Sequence, residues 1–180
     1  VDEATFLGAD EGVMSINASD LWIEINGAAN DKSVIDYASR PLSVSTGADP
    51  IMIDFDGDRG LLVQAGGTVQ MSMSNLMTME GSLTFSNFRR EIHLSDGSSL
   101  DARLFQVAST DLSAFIGTTN GDDKVGFEVS DLDFGMTVAK PVEVADARRW
   151  MALKAHGKQF ALVGLEDVSA TVNGLDVVLN

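Results

Sequence analysis

The sequence predicts an all-β protein, built as an elongated β-solenoid or β-helix-like stack of repeats, with an antiparallel β-sandwich as the alternative. Three observations favour this class: polar and apolar residues alternate along the chain, dipeptides typical of tight turns separate the alternating runs, and one short residue pattern recurs. With 180 residues, 44% of them hydrophobic, the chain is long enough for one sizeable core or for a thin core that runs along a stack.

The clearest alternation lies between Val69 and Phe85. Successive side chains of a strand point to opposite faces of its sheet, so residues of one parity are expected to share a face and to line a core. That set is Val69, Met71, Met73, Met77, Met79, Leu83 and Phe85. Shorter alternating runs at residues 51–55, 125–129 and 168–179 predict further strands.

Four dipeptides predict tight hairpin turns, because both residues of each pair tolerate a positive φ. They are Asp56-Gly57, Asp96-Gly97, Asn120-Gly121 and Asn173-Gly174. Residues 142–155 leave two interpretations open. Their apolar spacing roughly suits a helix, and a hairpin is at least as plausible, with residues 150–155 and 158–163 as its arms and a turn at His156-Gly157.

The recurring pattern consists of a strand, a small polar bend, a leucine and a second strand. It occupies residues 14–25, 125–136 and 168–179, and a weaker copy ends at Leu76. We expect the bend to rotate the chain between two strands while the leucine packs into the core. The leucines Leu21, Leu76, Leu132 and Leu175 would then form a structural seam. Bends of this kind join the strands of one coil in a β-helix, and the hairpins of a sandwich would equally explain the Asp-Gly pairs.

Four segments give the chain a resemblance to a known class of repeats. They are Val34-Ile35-Asp36-Tyr37-Ala38 continuing to Gly47, Leu112-Ser113-Ala114-Phe115-Ile116-Gly117, Arg148-Arg149-Trp150 continuing to Lys154, and Phe160 to Leu165. In this order, and over nearly the whole chain, they resemble the long-repeat modules of giant bacterial exoproteins, which are adhesin-like surface or secreted proteins. The resemblance implies a structural spacer or adhesive module, extracellular or at the cell surface, that stacks end to end. Its partners would be adjacent repeats of the same chain or neighbouring copies.

The resemblance also implies how the chain divides into repeats. Asn26 and Asn180 would be equivalent, at an offset of 154 residues. Residues 1–180 would then be a single β-repeat module, containing about one full repeat (1–154) and the start of the next (155–180). Because the sequence begins with Val1 and not with Met, we expect it to be part of a longer polypeptide.

The charge of the chain argues against two classes of partner. There are 27 acidic and 12 basic residues, which give a net charge of -15. Such a polyanion repels phosphate backbones and anionic lipids, so no nucleic-acid partner is expected. No apolar run approaches the roughly 18 residues that a membrane span needs, so no membrane insertion is expected either. The absence of cysteine excludes disulfides and thiolate metal sites.

No group of residues predicts catalysis, so we expect the protein not to be an enzyme and to need no cofactor. His93 and His156 each lack a second histidine nearby in the sequence, as a zinc site would need. No serine lies in a Gly-x-Ser-x-Gly elbow, and the glycine-rich positions lack the lysine of a phosphate loop.

The alternative function is a ligand-binding adhesion domain. Asp54, Asp56 and Asp58 alternate as at the start of a calcium loop, although Ala65 stands where a bidentate glutamate would be. Trp22 and Trp150 are aromatic residues of the kind that form platforms in glycan sites. Calcium and a glycan are therefore the two ligands that the sequence leaves open.

Overall fold

The computed structural model describes residues 4–7, 14–74, 76–120, 123–165 and 168–180, which form an all-β structure and confirm the predicted class. The strands are β1 (Ala4–Leu7), β2 (Met14–Asn26), β3 (Leu42–Val44), β4 (Ile51–Ile53), β5 (Leu62–Met73), β6 (Met77–His93), β7 (Ser99–Asn120), β8 (Asp123–Pro141), β9 (Trp150–Leu165) and β10 (Val168–Leu179). A single 3-10 turn, Gly57–Arg59, precedes β5. Among these residues no helix is long and apolar enough to cross a membrane.

One sheet contains eight of the strands, in the order β1-β2-β5-β6-β7-β8-β9-β10, and β3 pairs with β4 in a separate two-stranded ladder. The ladders of the described residues are antiparallel throughout. From β5 onward each strand pairs with the next one along the chain, so the sheet is a meander. The parallel stacking that defines a β-helix is not what these residues form, and the antiparallel alternative lies closer to the observed fold.

The solenoid expectation failed because the recurring polar bend is not a corner between two strands. The three segments that carry it lie within β2, β8 and β10, each of which continues through the bend as one strand. Strands in this sheet are long, up to the 22 residues of β7, whereas strands of roughly 3–10 residues are usual. A segment long enough to suggest two strands therefore belongs to one.

The four predicted hairpin turns had different outcomes. Asp96-Gly97 does form the hairpin between β6 and β7, where Leu94 N donates to Ser98 O at 2.8 Å and Gly97 has a φ of 85°. The β7–β8 hairpin closes at the pair formed by Asn120 and Asp123, while residues 121–122 lie outside the described residues. The other two turns were wrong. Asp56 caps the 3-10 turn, and Asn173-Gly174 lies inside β10.

The hairpin predicted at His156-Gly157 is also absent, and so is the helix that was its alternative. Both residues lie in the middle of β9, a single strand of 16 residues. Gly157 is needed there for space and not for a turn, because a Cβ at this position would lie 2.4 Å from the ring of Phe160. On its two sides Gly157 pairs with Leu132 of β8 and Leu175 of β10.

The β6–β7 turn is expected to respond to acid. The pKa of Asp96 lies below its usual 3.8, because Ser98 donates from Oγ (2.6 Å) and from its backbone N (2.9 Å) to the same carboxylate oxygen. A carboxyl group with a lowered folded-state pKa stabilises the fold above its unfolded pKa, and this contribution is lost as the pH falls through the lower folded value. We expect the Ser98 amide resonance in NMR to titrate with a midpoint below 3.8. Asp96→Ala should remove the titration, and a midpoint at or above 3.8 would contradict the assignment.

The two faces of the main sheet differ sharply in polarity. Residues opposite one another in an antiparallel ladder point to the same side, so the register assigns each side chain to a face. The apolar face carries Ile16, Ile23, Ile25, Val63, Val69, Met71, Phe85, Val107, Ile116, Phe127, Phe134, Met136, Leu153, Val172, Val177 and Leu179. It also holds the predicted methionine and phenylalanine set, which confirms that this set shares a face. The opposite, polar face carries mainly serine, threonine, glutamine and charged residues.

The main buried cluster does not lie on the apolar face, although Leu112 is buried there. The cluster is a row at one end of the polar face, formed by Leu62, Phe88, Leu104 and Ala139 on four successive strands, with Ala102 beside it and the partly buried Trp150 packed against it. Phe115, 2% exposed, is buried apart from this row. The connection between β4 and β5 covers this row, since the guanidinium of Arg59 lies 5.2 Å from the centre of the Phe88 ring. The methionine set was therefore correctly placed on one face but was wrong as the core.

The apolar face is largely open in the single chain. The accessible surface of the chain is 12452 Å², whereas a compact protein of its mass, 19.1 kDa, exposes about 8,400 Å². Ile23, Ile116 and Phe127 on this face are each at least 60% exposed. An apolar surface of this extent is unusual on an isolated soluble protein and marks a surface that packs against something else.

Candidate functional site

A row of β-bulges crosses the main sheet at the recurring polar bend. Asp20, Asp131 and Gly174 hold equivalent places in β2, β8 and β10, and their φ values are 52°, 51° and 71°. The left-handed region costs most L-residues roughly 1–2 kcal/mol, and aspartate and glycine tolerate it best. This explains why the bend is small and polar. The β2–β5 register shifts between Ser19 and Trp22, as expected for a bulge.

Three of the four predicted seam leucines lie in this row. Leu132 pairs with Leu112 on one side and with Gly157 on the other, and Gly157 in turn pairs with Leu175. Leu21 packs against Gly67, where an added Cβ would lie 2.8 Å from its Cδ2. Leu76 does not belong to the row, because it lies in the β5–β6 turn, where its N donates to Met73 O.

The row contains a further leucine that the sequence reasoning missed. Leu112 follows Asp111, whose φ is 56°, and it packs over Gly81, where a Cβ would lie 2.8 Å from the Leu112 Cα. Leu112 is 7% exposed, whereas Leu21 and Leu175 are 46% and 40% exposed. The sequence contains the pattern that would have identified Leu112, a hydroxyl residue followed by aspartate and leucine. Thr110-Asp111-Leu112 matches Ser19-Asp20-Leu21 and Ser130-Asp131-Leu132 in this respect. Only at Leu112 does the row form part of the buried interior.

The bulge conformation can be tested at Asp20. Valine is β-branched and disfavours a positive φ, so Asp20→Val is expected to lower the free energy of unfolding by about 1–3 kcal/mol. Asp20→Gly is the matched control and is expected to be neutral or slightly stabilising, because glycine already stands at the equivalent Gly174. Urea denaturation of the two variants measures both values. Equal stability of Asp20→Val and Asp20→Gly would contradict a left-handed bulge.

The polar side of the bulge row carries an exposed ion pair and an exposed histidine–aspartate hydrogen bond. Lys158 Nζ lies 2.9 Å from Asp131 Oδ2, and His156 Nδ1 lies 2.9 Å from Asp176 Oδ1. The hydrogen bond and charge of Asp131 raise the pKa of Lys158. Pairs this exposed contribute little to stability, because water screens them. In the part of the chain that the structure describes, no three acidic or histidine side chains are grouped so as to hold a metal ion.

The structure places the proposed calcium ligands around the 3-10 turn. Asp54 follows β4, Asp56 is the cap of the turn, and Asp58 lies within it; all three are exposed. Asp56 Oδ1 accepts a hydrogen bond from Asp58 N at 2.9 Å, so that carboxylate already stabilises the turn. The geometry therefore brings the three residues into one short segment without forming a shared cradle.

The two tryptophans proposed as glycan platforms differ in their surroundings. The Trp22 ring lies flat against Gly66, where an added Cβ would lie 2.6 Å from its Cζ2, and the side chain is 38% exposed. Trp150 packs against the buried row, and the guanidinium of Arg148 lies 5.3 Å from its ring centre. Of the two, Trp22 is the more exposed and Trp150 is half-buried.

The last hairpin of the sheet resembles the first one. In the β1–β2 hairpin Phe6 pairs with Ile16, and in the β9–β10 hairpin Leu162 pairs with Ala170. Ala170 is 154 positions after Ile16 and Leu162 is 156 positions after Phe6, so the connection of the last hairpin is two residues shorter. The bulge residues Asp20 and Gly174 are separated by the same 154 positions. β10 thus resembles β2 in its residue pattern and in the position of its bulge. β2 pairs onward with β5, whereas no described strand lies beyond β10.

No model of a known protein family, no curated protein and no solved structure matches this chain. The features of the structure that bear on function are therefore those of the sheet: the likeness of its first and last hairpins, the edge of β10 and the exposed apolar face.

Proposed function

We propose that the chain is a structural repeat module of a large bacterial surface or secreted protein of the adhesin-like kind, in which modules follow one another end to end and act as a spacer. The observation that carries this proposal is the likeness of the β9–β10 hairpin to the β1–β2 hairpin. A strand that recurs 154 residues later with the same bulge, again paired with an apolar hairpin partner, is what a chain of repeats requires.

The surface properties of the sheet support a role inside an array. The apolar face is too large to remain in water in a stable assembly, so neighbouring sheet in an array would cover it. Open antiparallel sheets beyond about ten strands curl or split into two packed layers, which provides such cover and gives an elongated stack. The net charge of -15 keeps an array of this kind soluble.

The proposal can be tested with a two-repeat molecule, in which residues 1–180 are followed directly by residues 27–180 of a second copy. Asn180 then stands where Asn26 stood. Repeats that stabilise their neighbours melt together and at higher temperature than a single unit. We expect one thermal transition with a midpoint above that of the 180-residue chain. Two independent transitions, or an unchanged midpoint, would contradict a repeat module.

A ligand-binding adhesion domain is the second candidate function, and the exposure of Trp22, 38%, is the observation that favours it. Binding to a glycan array that is lost in Trp22→Ala would support this alternative. Trp150→Ala is a poor probe of binding because its side chain packs against the buried row. Loss of the Trp150 ring is expected to lower the stability of the fold.

A further inference from the structure

We infer that the open edge of β10 accepts a strand with the sequence of β5, supplied by a second copy of the repeat, with Val177 opposite Ala65 and Ala170 opposite Met71. The inference rests on the proposed repeat function and names the interface through which repeats join. It predicts a continuous antiparallel sheet across the boundary between repeats, and not a contact between separate folded units.

The expected register follows from the equivalence of β2 and β10. In the chain itself Ile23 pairs with Ala65 and Ile16 pairs with Met71. The residues 154 positions after Ile23 and Ile16 are Val177 and Ala170. Because β10 reproduces the backbone of β2, including its bulge, the same ladder can form on its free edge.

The side-chain pattern supports this register and argues against a shift by one residue. Val177 and Ala170 lie on the apolar face, as Ala65 and Met71 do. Asp176 lies on the polar face, where the register places it opposite Gly66. A shift by one residue would move every side chain of one strand to the other face and bring Asp176 in line with the apolar face.

The bulge supplies a second element of recognition. Leu21 packs against Gly67 across the β2–β5 ladder. Leu175 follows Gly174 as Leu21 follows Asp20, so it would meet the Gly67 of the incoming strand in the same way. A side chain at that glycine would obstruct both contacts.

One contact of the β2–β5 ladder is not reproduced. The ring of Trp22 lies over Gly66, whereas its counterpart Asp176 is short and pairs with His156. β10 therefore buries less of an incoming β5 strand than β2 does. In an intact second copy β2 keeps its place on β5, so the 180-residue chain is not expected to exchange strands with another intact copy.

The test uses directed disulfide formation, for which the absence of native cysteine is an advantage. The full 180-residue chain carries Val177→Cys, and the probe is a synthetic peptide of residues 61–74 with a short lysine tail. In one peptide Ala65 is replaced by cysteine; in the matched controls Gly66 or Val69 is replaced. Val177 is partly exposed, so the substitution is expected to leave the thermal midpoint of the chain unchanged.

We expect the Ala65→Cys peptide to cross-link at least about tenfold faster than either control, because a disulfide needs Cβ atoms about 4 Å apart on one face. Equal rates for the three peptides, or no cross-linking above that of free cysteine, would overturn the inference. If the two-repeat molecule melts cooperatively while the peptides show no preference, repeats are joined by another surface. If the two-repeat molecule does not melt cooperatively and the peptides also show no preference, the proposed repeat function is contradicted as well.

Discussion

Phe88→Ala is expected to lower the free energy of unfolding by about 3–5 kcal/mol, the range for truncation of a buried aromatic side chain. Phe88 is 6% exposed and stands in the middle of the buried row, between Leu62 and Leu104, with the Arg59 guanidinium over its ring. The substitution removes the contact that holds the connection between β4 and β5 against the sheet. Urea denaturation followed by far-ultraviolet circular dichroism measures the change.

The chain offers a matched control in Phe85→Ala. Phe85 lies on the same strand but on the apolar face, and it is 42% exposed. Its truncation removes less buried area, so the expected loss is about 1–2 kcal/mol. If Phe85→Ala proved the more damaging of the two, the apolar face would be the interior of the protein in solution. The buried row would then be wrongly identified as the core.

Leu112→Asp is expected to prevent folding. The side chain is 7% exposed within the bulge row, and its backbone packs directly against Gly81, so a carboxylate there would be buried without a partner. An unpaired buried charge costs several kcal/mol, which is comparable with the whole stability of a domain of this size. Loss of the cooperative thermal transition is the expected result.

Leu21→Asp is the control for that prediction, because Leu21 holds the equivalent place in β2 but is 46% exposed. A carboxylate there reaches water, so the variant should fold with a modest decrease in melting temperature. Two variants of equal stability would show that Leu21 and Leu112 are equally buried or equally exposed, which contradicts the observed difference between the edge of the row and its middle.

The sequence was sufficient to predict the fold class and the composition of one sheet face. The alternation from Val69 to Phe85 identified residues that do share a face. Alternation alone cannot say whether that face is covered, because cover depends on other segments that pack on it. The buried row was not visible for the same reason. At that end of the sheet both faces carry apolar residues, such as Val63 beside Leu62, and only the β4–β5 connection distinguishes them.

The bends were located correctly but were misinterpreted. Aspartate, asparagine and glycine are favoured both in tight hairpin turns and in bulges, because both use a positive φ. Asp96-Gly97 turned out to be a hairpin turn, whereas Asn173-Gly174 lies in a bulge. What separates the two is whether the chain continues in the same direction, and that depends on pairing with β9, far away in the sequence. Of the leucines predicted to form the seam, Leu21, Leu132 and Leu175 follow bulge residues, whereas Leu76 lies in the β5–β6 turn.

We propose that repeats join through the edges of their strands and form one sheet. From β2 to its counterpart β10 there are six strand spacings, which at roughly 4.8 Å each give a displacement of about 29 Å per repeat. Stacking along the strand direction would instead displace repeats by about 70 Å, from roughly 3.3 Å per residue over the 22 residues of β7.

Electron spin resonance on the two-repeat molecule distinguishes these arrangements directly. Spin labels are placed at Thr78, an exposed residue of the polar face, in both copies, and the distance between them is measured. A narrow distribution centred near 29 Å, or slightly below it where the sheet curls, is the predicted result. A distance near 70 Å, or a broad distribution typical of two units on a flexible tether, would contradict the claim.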